Sequence, residues 1–310
     1  QGQESPSDDL KASSFAAPDE EASNPPHDSL PSDDRTCPLT DKDRAEHIAD
    51  VLARLHRADA DGLSADDLHT IDPDREIWSS ERTVLHYSLI NDVYDQSAEV
   101  PCEHKAIIAG GLSGAGKTTV LANHPDIGPS QYLTISPDNM KEEMAQRGMI
   151  PAVEGLSPME ASELVHEESS YLARQLALRA QANGKNIIWD ITMSDQAKTE
   201  QRILELRDAG YDKIDGLFVH IPIETSLRRT EARYWADQEK WLAGVGLGGR
   251  LIPPDVILRQ MNPEWGSRNR KSFESVKLKV DNWEVRDNSV DDSPAVLVES
   301  SRSAEDRRQP

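Results

Sequence analysis

The chain has 310 residues, with 34 basic against 56 acidic side chains, a formal net charge of -22, 5% aromatics and 36% hydrophobic residues. That apolar fraction suits one good-sized domain with polar flanks rather than two full domains. A charge this negative repels phosphate backbones and anionic lipid heads, and no basic patch offsets it, so neither nucleic acid nor a membrane surface is an expected partner. Cys37 and Cys102 stand far apart without C-x-x-C spacing, which excludes a zinc site or disulfide framework as the reading. No apolar run approaches the roughly 20 residues that span a bilayer. The first residues, opening on Gln1, lack the basic and apolar regions of a secretory signal, and a reduced, cytoplasmic setting is the expectation.

In chain order, residues 1–35 carry nine acids against Lys11 and Arg35, with Pro6, Pro18, Pro25, Pro26 and Pro31. Such a stretch cannot bury enough apolar surface to offset its chain entropy, so residues 1–40 are predicted to be a disordered acidic segment and 301–310 a disordered tail. Residues 41–100 read as a helical extension. Ile48, Val51, Leu52 and Leu55 follow helical spacing, and Ile77, Val84, Leu85, Leu89, Ile90 and Val93 form a second stripe after an Asp72-Pro73 start signal. Trp78, Arg82 and His86, four apart, lie on one face that is either solvated or packed on a helix, or else lines a pocket.

From Lys105 onward, short β runs (106–109, 132–136, 186–190, 217–221) alternate with helix-length segments such as 161–182 and 196–209. A late pair, 283–286 and 295–298, adds a strand or an edge hairpin. Strands and helices alternating at this spacing predict the α/β class: a P-loop NTPase-type parallel sheet flanked by helices, spanning 101–300.

The strongest signal is Gly111-Leu112-Ser113-Gly114-Ala115-Gly116-Lys117-Thr118, followed by Thr119, a complete G-x-x-x-x-G-K-[ST] between an apolar strand and a helix. That context confirms the motif. Its glycines let backbone N–H groups turn onto a phosphate at a helix N-terminus. Lys117 would reach the β and γ phosphates and the Thr118 hydroxyl would hold Mg²⁺, so ATP and Mg²⁺ are the expected cofactors.

The next strand ends in Ser136-Pro137-Asp138, placing Asp138 where ligands bind in open α/β sheets. It is either a base accepting the proton of an acceptor hydroxyl or a helix N-cap. Asp190 closes the run Asn186-Ile187-Ile188-Trp189-Asp190 and would orient the acceptor or hold Mg²⁺, or be a turn residue. Arg229 and Arg233 share a helix face that runs into Gly244-Val245-Gly246-Leu247-Gly248-Gly249-Arg250. This reads as a lid carrying guanidinium groups over a triphosphate, against the plainer reading of a solvated face.

Taken together, the phosphate loop, the Ile135–Lys141 strand end, the 186–192 strand and the Arg233 and Arg250 pair resemble the zeta toxin family of P-loop kinases. His166-Glu167-Glu168-Ser169, Ala209-Gly210-Tyr211, Trp283 and Asp287-Asn288-Ser289 extend the resemblance over roughly residues 100–300. It implies ATP-dependent phosphorylation of UDP-N-acetylglucosamine on its 3′ hydroxyl. Lys117 matches the P-loop lysine, Asp138 the catalytic base, and Arg233 and Arg250 the arginines that clamp the phosphates. Asp190 falls where the best-known members carry a glutamate that contacts substrate or metal. The resemblance also implies an antitoxin partner, either a protein in trans or the helices of 41–97 acting in cis, although those helices could simply cover a sheet edge. Two other readings stay open: a regulatory ATP-binding or ATPase module, and a kinase of another nucleotide, an antibiotic or a polynucleotide end.

Overall fold

The computed structural model describes residues 40–128 and 130–302. The predicted disordered segment 1–40 lies, except for Thr40, outside the described residues, as does most of the 301–310 tail. The chain begins with α1 (Asp41–Ala60), α2 (Ala65–His69), a two-stranded hairpin of β1 (Thr70–Asp72) and β2 (Ile77–Trp78), and α3 (Ser80–Asp95). There follow β3 (Lys105–Gly110), α4 (Lys117–Ala122), β4 (Leu133–Ile135), α5 (Pro137–Gln146), a 3₁₀ turn at Glu160–Val165, α6 (His166–Ala182), β5 (Ile187–Asp190), α7 (Gln196–Asp208), β6 (Lys213–His220) and α8 (Ile223–Leu242). The chain continues through α9 (Pro254–Leu258), a small hairpin of β7 (Met261–Asn262) and β8 (Gly266–Ser267), α10 (Arg268–Val276), β9 (Asn282–Asp287) and β10 (Val296–Ser300). No described helix is long and apolar enough to cross a membrane.

The central sheet has six strands in the order β10-β9-β6-β3-β5-β4, all parallel except β10. Alternate residues of its inner strands feed two cores. Ala106, Ile108, Ile187, Trp189, Ile214 and Phe218 point to the face covered by α6, α7 and α10. Ile107, Ala109, Ile188, Leu217 and Val219 point to the face covered by α4 and α8. Burial on both faces is why β3 and β5 are continuous apolar runs legible in the sequence, whereas Asp215 and Gly216 interrupt β6, which was legible only from Leu217.

The extension is built into this fold. Leu89 and Ile90 of α3 and Trp78 of β2 belong to the larger core, and Ala58 of α1 packs with Ala161 and Leu164 in a smaller one. Two expectations need correction. Pro73 does not start a helix but sits in the β1–β2 turn, and α3 begins at Ser80 with Ser79 accepting from the Arg82 N–H. Val84 and Leu85 are exposed, since the interior face of α3 is formed by Arg82, His86, Leu89 and Ile90. The expected shared face of Trp78, Arg82 and His86 also needs correction: Trp78 lies on β2, outside the helix, with its ring against that of His86 at 5.0 Å, while Arg82 and His86 are buried on α3 and not solvated. Arg82 forks onto buried Glu168 of α6 at 2.6 and 2.8 Å, and His86 Nε2 donates to the same carboxylate at 2.6 Å.

Candidate active site

The site lies at the carboxyl ends of β3, β4 and β5, where the chain leaves the central strand toward one side of the sheet and later returns to the other. The phosphate loop has the backbone its glycines permit: Gly114 and Gly116 adopt positive φ of 75° and 79°. At Gly116 a Cβ would stand 2.6 Å from Asn288 Nδ2, so only glycine fits. The loop is fixed from outside. Ser226 Oγ donates to the Ser113 carbonyl at 2.6 Å and Asn288 Nδ2 to the Ala115 carbonyl at 2.8 Å, while Arg229 donates to the Gly114 carbonyl at 3.4 Å. Anchoring the carbonyls outward leaves residues 113–118 facing a cavity of about 360 Å³.

Arg229 is thus a scaffold residue, also bound to Asp291 and to the Asn288 carbonyl, each at 2.9 Å. Ser226 and Asn288 have the same role, which the sequence reading did not assign. Asn288 was visible only as part of a matching tripeptide, and a lone serine inside a helix gives no signal of its own.

Lys117, Thr118, Asp138, Asp190, Arg233 and Arg250 all line this cavity. The remaining loop positions differ. Leu112 is buried in the core beneath the loop, Gly111 offers its carbonyl to Lys117 Nζ at 3.4 Å, and Thr119 faces a hollow on the outer side with Asn123 and Arg229. Asp138 is not the N-cap of α5: Ser136 is, accepting from the Asp138 N–H at 3.2 Å, with Pro137 at the first helical position. The Asp138 side chain keeps 56% of its surface accessible and ion-pairs with Arg250. Burial pushes its carboxyl up, but Arg250, aided by Lys141 and Lys117, outweighs that and holds it below the usual aspartate value.

Asp190 lies 3.5 Å from Lys117 Nζ. Burial raises its carboxyl, with Lys117 opposing and the Asp138 charge reinforcing the rise. Arg233 has its basicity lowered by burial and by neighbouring Arg250. Three cations, Lys117, Arg233 and Arg250, thus share one space with the Asp138, Glu142, Asp190 and Asp237 carboxylates, and placed cations of this kind are what a site must hold ready to balance a polyphosphate.

A second cavity, about 250 Å³, shares Lys117, Ser136, Asp138, Asp190 and Thr192 with the first. Its far side is formed by His166 and Ser170 of α6 and by Lys198, Thr199 and Arg202 of α7. Arg202 stacks on Trp189 at 4.5 Å, and its Nε is buried without a hydrogen-bond partner among the described residues. Sequence reasoning missed this wall because its residues are scattered over two helices. No residue of α1, α2 or α3 lines either cavity.

The zeta toxin profile matches residues 91–290, about two thirds of the chain. The chain belongs to the zeta toxin family. As a zeta toxin family member it is an ATP-dependent kinase, a phosphotransferase. No curated protein matches its sequence. Among solved structures it is similar to a chain of the AvrRxo1-ORF1:AvrRxo1-ORF2 complex with sulphate ions, at 18% identity over 76% of both chains and a TM-score of 0.54. A chain of that complex with ATP gives 16% identity, 76% of both chains and a TM-score of 0.53. A chain from the PezAT chromosomal toxin-antitoxin system of Streptococcus pneumoniae is 15% identical over 70% of this chain and 80% of that one, with a TM-score of 0.48. The AvrRxo1 matches show a shared zeta toxin fold.

Proposed function

We propose that the protein transfers the γ-phosphoryl group of ATP to a hydroxyl of a small molecule, with UDP-N-acetylglucosamine as acceptor. The observation that carries this reading is the shared wall: Lys117, Asp138 and Asp190 stand between a cavity lined by the phosphate loop and a second cavity with its own polar lining. ATP fits the first, its triphosphate along residues 113–118 and its γ-phosphate beside Lys117. The acceptor fits the second. The acceptor oxygen attacks the γ-phosphorus, the bond from that phosphorus to the β–γ bridging oxygen breaks, ADP leaves, and the hydroxyl proton passes to Asp138.

Each residue then has a role. Asp138 is ionised at neutral pH and can accept that proton. Arg233 and Arg250 counter the charge that spreads over the transferred group. The hydroxyl of Thr118 and the Asp190 carboxylate are hard oxygen donors on one cavity, which suits Mg²⁺, and the ion would add positive charge at the phosphates. Lys198, Arg202 and His166 in the second cavity suit a diphosphate, while Ser170, Thr192 and Thr199 suit sugar hydroxyls. A sugar nucleotide carries both groups. Work on ATP and such a substrate agrees with a cytoplasmic location.

The proposed protein partner is an antitoxin in trans, as the family implies. None of the described helices of the extension lines the cavities, which favours an antitoxin in trans over a block in cis. The test is mass spectrometry of a metabolite extract incubated with the protein, ATP and Mg²⁺. A species heavier than UDP-N-acetylglucosamine by one phosphate is expected. ATP turnover indifferent to every acceptor in the extract would favour a plain ATPase module and sink this reading.

A further inference from the structure

Arg250 stands at the end of a loop that should be hard to hold still. Gly244, Gly246 and Gly248 all adopt positive φ, at 80°, 82° and 88°, and a glycine-rich segment loses more entropy on ordering than any other. Yet the loop is clamped on both sides. The Leu247 carbonyl accepts from the Met159 N–H at 3.0 Å, and the Gly249 N–H donates to Gln238 Oε1 at 3.0 Å. Ser157 Oγ donates to that same Gln238 oxygen at 3.3 Å. Gly248 packs on the Ser157 hydroxyl and Gly249 on the Tyr234 carbonyl, leaving no room for a Cβ at either.

The clamp is itself held by a buried carboxylate. Ser157 and Glu160 cap each other, the Ser157 N–H donating to Glu160 Oε2 at 2.8 Å and the Glu160 N–H to Ser157 Oγ at 3.2 Å. Glu160 is only 2% exposed, and its other oxygen accepts from the Tyr234 hydroxyl at 2.6 Å. With that proton committed, the Tyr234 oxygen can only accept, which assigns the Nε2–H form to His47 of α1, 2.9 Å from it and 3.3 Å from Glu160 Oε1. The His47 ring also packs on Trp235 at 5.3 Å, and Arg44 lies over the same indole at 5.4 Å. α1 precedes the segment matched by the family, so this end of the network lies outside that segment.

We propose that α1, through His47, and the Glu160–Tyr234–Gln238 network form a brace that fixes the lid loop and so positions Arg250 against the γ-phosphate. In this arrangement the extension's first helix supports the grip on the nucleotide. His47, Glu160, Tyr234 and Gln238 are positioning residues, because none of them lines the cavity. The proposal rests on the reading of Arg250 as a phosphate clamp, and its test must separate the two.

The test compares affinity for Mg·ADP with affinity for Mg·ADP plus aluminium fluoride, a mimic of the transferred phosphoryl group, and needs no acceptor. His47→Ala, at a partly exposed position, and Tyr234→Phe, which deletes one hydroxyl, are each measured alone and together with Arg250→Ala. Each brace variant is expected to weaken capture of the mimic about tenfold and to leave ADP alone within about twofold, since misplacing one charge-stabilising group acts only where the charge develops. In the Arg250→Ala background the same substitutions should cost nothing more, because the group they position is gone. Undiminished capture in both brace variants, or a full additional loss without Arg250, would overturn the brace. If Arg250→Ala alone captured the mimic as tightly as the wild type, the clamp reading itself would fall, a result distinct from both of these.

Discussion

Asp138 and Arg250 form the decisive pair at the scale of single residues. Arg250 favours the ionised carboxylate, so its removal lets burial raise the Asp138 pKa, and a larger share of the base is protonated at any mildly acidic pH. In Arg250→Ala the acid limb of the pH profile of kcat/KM is therefore expected to move to higher pH, besides a general loss of rate; an unmoved limb would mean that Asp138 is not the titrating base. Lys117→Ala should lower kcat by roughly 10²–10³, the scale for losing one preorganised charge stabiliser, and would leave Asp190 buried beside Asp138 without its cation. Much of this was legible beforehand, because a phosphate loop ties its chemistry to fixed positions in one short segment. The choice between cap and base at Asp138 was not: an acid before a helix reads equally as either, and the Ser136 hydroxyl, already occupying the cap, removes the first reading. The supports from Ser226 and Asn288 were invisible because they come from segments far from the loop in sequence.

Helix α3 is where element-scale reasoning from the sequence went astray, and for a physical reason. Counting apolar residues selected Val84 and Leu85, but the buried face of the helix carries an ion pair, with Arg82 and His86 both meeting Glu168. Burial pushes the Glu168 carboxyl up, but its bonds from His86 and Arg82 outweigh that and hold it below the ordinary glutamate value of 4.5. A depressed carboxylate stabilises the fold fully above its unfolded pKa and loses that contribution as pH falls through the lower folded value. Thermal stability should thus drop as pH is taken below 4.5, and a Glu168→Gln variant should show a shallower acid slope. Arg82→Met strands a buried carboxylate and is expected to cost about 3–5 kcal/mol in urea denaturation, whereas an exposed pair such as Arg259–Asp255 is worth under about 1 kcal/mol. Strands β3 and β5, by contrast, were read closely because both of their faces are buried and their apolar runs are continuous, whereas β6 was read only from Leu217 because Asp215 and Gly216 interrupt its first half.

Across the whole molecule, the charge of -22 and the grip on a polyanion are compatible because the cations that matter are few and placed. Lys117, Arg233 and Arg250 converge on one cavity from the phosphate loop, α8 and the lid loop, while acids spread over the rest of the chain. The extension is part of the same body. Removing residues 1–97 would take Leu89 and Ile90 out of the larger core and the partners away from Glu168, so that truncation should yield an unfolded or insoluble product rather than a freed kinase. A soluble, cooperatively melting product of that truncation would contradict the architecture described. The central claim, phosphoryl transfer with Asp138 as base, is tested most directly by following label from γ-labelled ATP into UDP-N-acetylglucosamine with the wild type and with Asp138→Ala, alongside ATP binding by calorimetry. The account predicts transfer by the wild type and none by the variant, with ATP affinity nearly unchanged; transfer that survives the substitution would contradict it.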